Sequence, residues 1–290
     1  MKITVQDFTG IYDYQPFMQE LREKAASSTD IHWLDCSKIV GTDCYCDDDA
    51  IKEINALIDN AECSSNSINT SNRAETAPGI HFFDNGNYHY MSKLWTDRVH
   101  EPFSLIVFDH HPDMQPPRFG GILSCGGWVL EVLKNNPFVQ NVTLIGVADH
   151  LVDEIRQEIT SLSSDSRSDI AHILDKVTFV KESELSSITL EGAFKRPIGS
   201  TDSIYISIDK DALAPAYAAT NWDQGSLDVA TLKNIIVSLA ESHKILGIDI
   251  CGERAKDFEG DEHHTVQEAD TLNNNLNSEL VDFLQKLKMV

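Results

Sequence analysis

The feature that most restricts this chain is an abrupt change of character between Ser104 and Asp113. Leu105-Ile106-Val107-Phe108 is continuously apolar and runs straight into Asp109-His110-His111-Pro112-Asp113. A short uninterrupted apolar run reads as a strand covered on both faces, the kind found in parallel sheets. The polar cluster then falls at the strand's carboxyl end. Alternation along an extended backbone predicts that Asp109, His111 and Asp113 point one way, and His110 and Pro112 the other. A strand end meeting solvent accounts for one Asp or one His. Three ligand-type side chains gathered from five residues point to a metal instead.

The design recurs. Ile204-Tyr205-Ile206-Ser207-Ile208 is a second apolar run, and it ends in Asp209-Lys210-Asp211. Two strands thus deliver acids to one end of the sheet. Carboxylates this close repel one another unless cations lie between them. Asp109, Asp113, Asp209 and Asp211 carry four negative charges, which two divalent cations balance. His89, just past another apolar run, offers one nitrogen ligand and His111 a second. Oxygen-rich ligation with two imidazoles suits Mn(II), with Zn, Fe or Co as other options.

Eight candidate strands are predicted in all: Lys2 to Asp7, Ile31 to Cys36, Ile80 to Phe83, Leu105 to Asp109, Val142 to Val147, Val177 to Val180, Ile204 to Asp209 and Ile245 to Ile250. Helical patterns lie between them, over Asp48 to Asn60, Gly126 to Lys134, Asp149 to Thr160, Asp228 to Ser242 and about Asn273 to Lys288. Alternating strands and helices predict a single-domain, three-layer, doubly wound α/β sheet of about eight mostly parallel strands, spanning 1–290. Ligands of such sheets sit outside the carboxyl ends of the strands. Ala61 to Pro78 is polar and turn-rich and reads as a surface loop. Ser161 to Ser168 reads as a break between short helices.

Composition narrows the function. The formal net charge of -23 repels nucleic acid and anionic membranes, and no basic block offsets it. No apolar stretch reaches membrane-spanning length, and Met1 to Val5 starts as a strand, not a leader, so a cytoplasmic protein is expected. The six cysteines read as reduced.

These stretches resemble the arginase/agmatinase/formiminoglutamase (ureohydrolase) superfamily. That family carries Gly-Gly-Asp-His, then Asp-Ala-His-x-Asp, then Ser-x-Asp-x-Asp-x-x-Asp-Pro. The matching stretches are Gly86-Asn87-Tyr88-His89, Asp109-His110-His111-Pro112-Asp113 and Ser207-Ile208-Asp209-Lys210-Asp211-Ala212-Leu213-Ala214-Pro215. The resemblance implies an arginase-like fold and two Mn(2+) per chain. His89, Asp109, Asp113 and Asp209 would hold one ion. Asp109, His111, Asp209 and Asp211 would hold the other, with Asp109 and Asp209 bridging. It implies a hydroxide between the ions that attacks the guanidino or formimino carbon of a small amine or amino acid, with Asp113 orienting it. It also implies a homo-oligomer.

The chain departs from the family pattern around this core. Ala214 stands where the last Asp is expected, Cys125 where arginases have His, and Thr220-Asn221-Trp222-Asp223 where the family has Thr-Gly-Thr-Pro. Glu253 lies one position late for the family's guanidinium-binding Glu. Trp222 and Asp223 become candidate pocket residues, and Glu253 a candidate substrate-binding and catalytic group. Two other readings stay open. Asp109-His110-His111 also fits DHH-type metal phosphoesterases, and the altered wall fits a ureohydrolase-like metal-binding protein that has lost its chemistry.

Overall fold

The computed structural model describes residues 1–65, 79–117, 120–161, 172–187 and 201–287. Eight strands form one sheet: β1 (Lys2–Asp7), β2 (Ile31–Asp35), β4 (Gly79–Phe82), β5 (Phe103–Phe108), β7 (Val139–Val147), β8 (Val177–Lys181), β9 (Ser203–Asp209) and β10 (Lys244–Cys251). Their order is β2-β1-β4-β10-β9-β5-β7-β8, and every pairing is parallel. The predicted strands are all present, with ends shifted by up to three residues. Two strands too short to be read from sequence, β3 (Tyr45–Cys46) and β6 (Leu123–Ser124), pair antiparallel beside the sheet.

The helices are α1 (Pro16–Ala25), α2 (Asp48–Ser65), α3 (Met91–Thr96), α4 (Trp128–Asn135), α5 (Asp149–Ser161), α6 (Val229–Ser242) and α7 (Val266–Lys286). Strand alternation divides the interior into two cores. Ile106, Phe108, Ile204, Ile206 and Ile208 face α1, α6 and α7 through Met18, Leu232, Leu276 and Leu280. Leu105, Val107 and Tyr205 face the other helices through Ile54, Leu94, Trp128 and Val152. Both faces are therefore covered, as an apolar parallel sheet requires. Among the described residues, no helix is long and apolar enough to cross a membrane.

Several boundaries differ from the sequence reading. The helix predicted to stop at Asn60 runs on through Ser65, where Arg98 pairs with Glu62 at 3.4 Å. The first five residues of the expected 61–78 loop are therefore helical, and 66–78 lie outside the described residues, as do 162–168 of the second polar patch. Helix α7 begins at Val266, well before Asn273, with Thr265 and Glu268 forming a reciprocal capping box. The asparagines hid this first half. Asn273 is buried on the packed face, where its amide bonds both N–H and C=O of Ala219. Helix α1 is mostly polar and was not predicted; Pro16 starts it.

Candidate metal centre

The carboxyl ends of β4, β10, β9 and β5 lie side by side at the middle of the sheet. Each contributes to one cluster. Asp109 follows β5 directly, Asp209 ends β9, and Cys251 ends β10 as the register partner of Asp209. His89 comes from the turn after β4, where a 3-10 helix over Gly86–Tyr88 is capped by the Asn85 side chain.

Past Phe108 the strand stops, so simple alternation does not carry Asp109, His111 and Asp113 to one side. A folded loop does that. Asp113 adopts a left-handed φ of 48°, and the His111 N–H donates to Asp109 Oδ1 at 2.6 Å. The result is the convergence that sequence predicted, by a different backbone path. Indole Nε1 of buried Trp128 donates to Asp113 Oδ2 at 2.7 Å and fixes that carboxylate.

His89 Nδ1 lies 3.2 Å from Asp109 Oδ2, 3.0 Å from Asp113 Oδ2 and 3.4 Å from Asp209 Oδ2. Its other nitrogen, Nε2, lies 2.9 Å from Ser207 Oγ, which in turn meets Ser92 Oγ. With the proton on Nε2 donated to Ser207, the Nδ1 lone pair faces three carboxylate oxygens. In the loop after β5, His111 Nδ1 lies 2.9 Å from Asp211 Oδ2 and 3.6 Å from Asp109 Oδ1. Asp109 thus stands between both groupings, one oxygen toward each.

The donor set fits divalent cations. Asp109 is buried, and its Oδ2 has no hydrogen-bond donor. An orphaned buried carboxylate oxygen is costly unless a cation uses it. Ligands about 2.1 Å from a common ion sit about 3.0–3.4 Å from one another, the spacing found around His89 Nδ1. Among the described residues, three groups of side chains offer ligand atoms within 4.8 Å of one another: His89 with Asp109 and Asp113, Asp109 with His111 and Asp211, and His89 with Asp209 and Cys251.

The electrostatics agree. Burial first, then repulsion from Asp211 and Asp109, pushes Asp209 up to about 7. Burial and Asp109 push Asp211 up to about 6. Burial opposes charge on His111, yet Asp109 and Asp211 outweigh it and raise it to about 12. His89 is likewise raised, burial being outweighed by Cys251, Asp109 and Asp113. Protons are the chain's own means of offsetting this crowding, and a cation competes for the same place.

The 221–223 segment closes one side. Gly86 N–H donates to Asn221 Oδ1, and Trp222 Nε1 donates to Asn87 Oδ1 at 3.0 Å. The indole packs so close over Gly86 that a Cβ there would lie 2.7 Å from it. The Trp222 ring meets the His111 ring edge-on at 5.8 Å. Asp223 Oδ1 lies 3.0 Å from His111 Nε2, with its side chain 68% exposed. Asp223 and Trp222 therefore border the cluster from the solvent side.

Glu253 does not border it. Glu253 is buried, one oxygen taking Lys210 Nζ and Asn277 Nδ2, the other Gln15 Nε2 at 2.8 Å. Both oxygens are engaged, so the carboxylate is not presented to a ligand. This differs from its expected place in the pocket. The cause lies in the backbone: Gly252, at φ 90°, turns the chain immediately after β10 and aims the next side chain inward. A Cβ at Gly252 would lie 2.3 Å from Asp209 Oδ1.

Sequence reasoning also missed Asp84, Ser207 and Cys251. Asp84 is buried and left-handed at φ 64°, and it accepts from Phe8 N–H, Thr9 N–H and Thr9 Oγ1. It ties the exit of β1 to the exit of β4. Cys251 had a readable signal, since it ends an apolar run just as Asp109 and Asp209 do.

Comparison with known proteins bears on the family and the fold. The Arginase family profile matches residues 81–262, a span holding every candidate ligand. An uncharacterised protein of Thermotoga maritima is 26% identical over 288 residues, spanning 99% of this chain and 92% of the relative. Among solved structures, the arginase of Bacillus cereus superposes with a TM-score of 0.60 at 14% identity, covering 99% of this chain and 100% of that one. The proclavaminate amidino hydrolase of Streptomyces clavuligerus superposes with a TM-score of 0.60 at 16% identity, covering 97% and 91%. At such identities the superpositions establish the fold, and the profile match separates Asp109-His110-His111 from the phosphoesterase reading. On the strength of that match over its central strands and the turns that follow them, the chain belongs to the arginase family.

Proposed function

We propose that this protein is a binuclear, metal-dependent hydrolase of the ureohydrolase type, acting in the cytoplasm on a small guanidino or formimino compound. The observation that carries the reading is Asp109. It is buried and short of donors, and it stands between two imidazole-carboxylate groupings that have no lysine or arginine of their own. In this reading His89, Asp109, Asp113 and Asp209 hold one cation, and Asp109, His111, Asp209 and Asp211 the other. Manganese is the identity expected from the resemblance.

When bound, the two cations supply an activated water and neutralise charge developing at the substrate carbon. The side chains do the rest. Asp113, steadied by Trp128, orients the attacking water and accepts its hydrogen bond. Trp222 forms an apolar wall that limits solvent, and Asp223 at the rim attracts the cationic end of the substrate. Water adds to the central carbon, the carbon–nitrogen bond breaks, and the nitrogen leaves protonated as an amine with urea or formamide as co-product.

The test is metal analysis followed by turnover. Purified protein incubated with manganese and desalted is expected to retain two ions per chain. It should then release urea or formamide from at least one member of a guanidino-acid and formimino-acid panel. A chain that retains no divalent ion is not this hydrolase. One observation favours a second reading, binding without turnover: Glu253, the substrate group implied by the resemblance, is already neutralised by Lys210. Two bound ions with no product from any panel member would select it.

A further inference from the structure

We propose that Cys251 is a direct ligand of the cation nearest His89, which gives that position a thiolate and a preference for zinc over manganese. The inference rests on the two-cation reading and assigns one more residue to it.

Placement comes from the sheet. Cys251 is the register partner of Asp209 across the β10–β9 pairing, so the two side chains emerge side by side on one face. The thiol Sγ lies 3.2 Å from Asp209 Oδ2 and is buried. With His89 and Asp209 it forms a group whose ligand atoms all lie within 4.8 Å of one another. A cysteine beside a carboxylate is not in itself a site. The independent sign is Asp109 Oδ2, buried, without a donor, and 3.2 Å from the same His89 Nδ1. The grouping that holds Cys251 and the grouping that holds Asp109 share His89.

The chemistry follows from ligand softness. Carboxylates and imidazoles suit manganese, whereas a thiolate favours zinc and other softer ions. Only the position near His89 has the sulfur; the Asp109, His111 and Asp211 grouping has none. The two positions therefore differ in kind. On ligation the thiol gives up its proton to solvent and forms a sulfur–metal bond.

Two measurements on the full chain test this, both with metal alone as the probe. Loading with two equivalents of cobalt(II) is expected to produce a near-ultraviolet thiolate-to-cobalt charge-transfer band. It should persist in Cys44→Ser and Cys125→Ser and disappear in Cys251→Ser and Cys251→Val. In competition, Cys251→Ser should lose at least about tenfold in zinc affinity with little change for manganese. Zinc X-ray absorption of the Cys44→Ser/Cys125→Ser chain needs no change at Cys251 and should show a sulfur shell at about 2.3 Å, about one sulfur per two zinc ions. Two cobalt ions bound with no such band, or a band surviving in Cys251→Ser, overturns the assignment and leaves the hydrolase reading standing. No cobalt bound at all overturns both.

Discussion

Two buried polar clusters meet at the end of β9, and the chain treats them in opposite ways. Lys210 turns to one side, where it and two amides engage both oxygens of Glu253. Asp209 and Asp211, its immediate neighbours, turn to the other side and join Asp109 and Asp113 without a lysine or arginine among them. A buried ion pair with its hydrogen bonds complete is self-sufficient and has no capacity left for a ligand. A cluster with excess charge and an orphaned oxygen is finished only by something from outside. The difference separates framework from function within three consecutive residues.

The largest effect should come from the open cluster. Asp109→Asn or Asp209→Asn is expected to take metal content from about two ions to none and to reduce turnover at least about a thousandfold, because in the proposed site each residue would serve both ions. Asp211→Asn should weaken one ion only. If either bridging variant retained both ions under metal analysis, the contrast between the two clusters would need redrawing.

The closed cluster should respond in stability. Lys210→Met leaves Glu253 buried and uncompensated, with an expected cost of about 3–5 kcal/mol in denaturant unfolding. The double variant Lys210→Met/Glu253→Gln should recover much of that loss. A single-variant loss equal to the double would remove Glu253 from its framework role.

Acidity provides a third handle. Asp209 and Asp211 keep their protons in the folded chain up to about 7 and about 6, against an ordinary 3.8, because burial and neighbouring carboxylates oppose ionisation. Their contribution to stability is therefore complete below about pH 4 and lost as pH rises through those values. His111, raised to about 12, acts in the same sense: its contribution is full below about 6.5 and declines as pH climbs toward 12. Cation binding needs the deprotonated forms, so its sign is opposite. The rise in melting temperature on adding manganese should grow between about pH 5 and about pH 8. An increment that shrinks over that interval would contradict the ligand set.

The smallest effect is expected at the rim. Asp223→Asn should raise KM by about tenfold while leaving kcat nearly unchanged, because Asp223 is mostly exposed and in the proposed reading acts on binding alone. An equal fall in kcat would instead give it a role in the chemical step.

Much of this was legible beforehand, for physical reasons. The strands were visible because a sheet covered on both faces demands unbroken apolar runs, and their ends announced the acids. That His89, Asp109, His111, Asp113, Asp209 and Asp211 gather in one place could be anticipated from residue type and position. The direction of Glu253 could not be, since it depends on one left-handed glycine and a lysine 43 positions away in the chain. The first half of α7 was obscured because a buried asparagine resembles a surface one until its partner, the Ala219 backbone, is known. The place of Cys251 beside Asp209 is set by strand register, which spacing along the chain does not carry.

The bond from Asp84 to the Phe8–Thr9 backbone has a practical corollary. That carboxylate begins the turn leading to His89, so the opening segment of the protein acts as an anchor for a candidate ligand eighty residues further on. Trimming or rebuilding the amino-terminal strand when preparing the protein for assay would disturb the candidate metal centre itself, and an inactive preparation of that kind would say nothing about the chemistry of the intact chain.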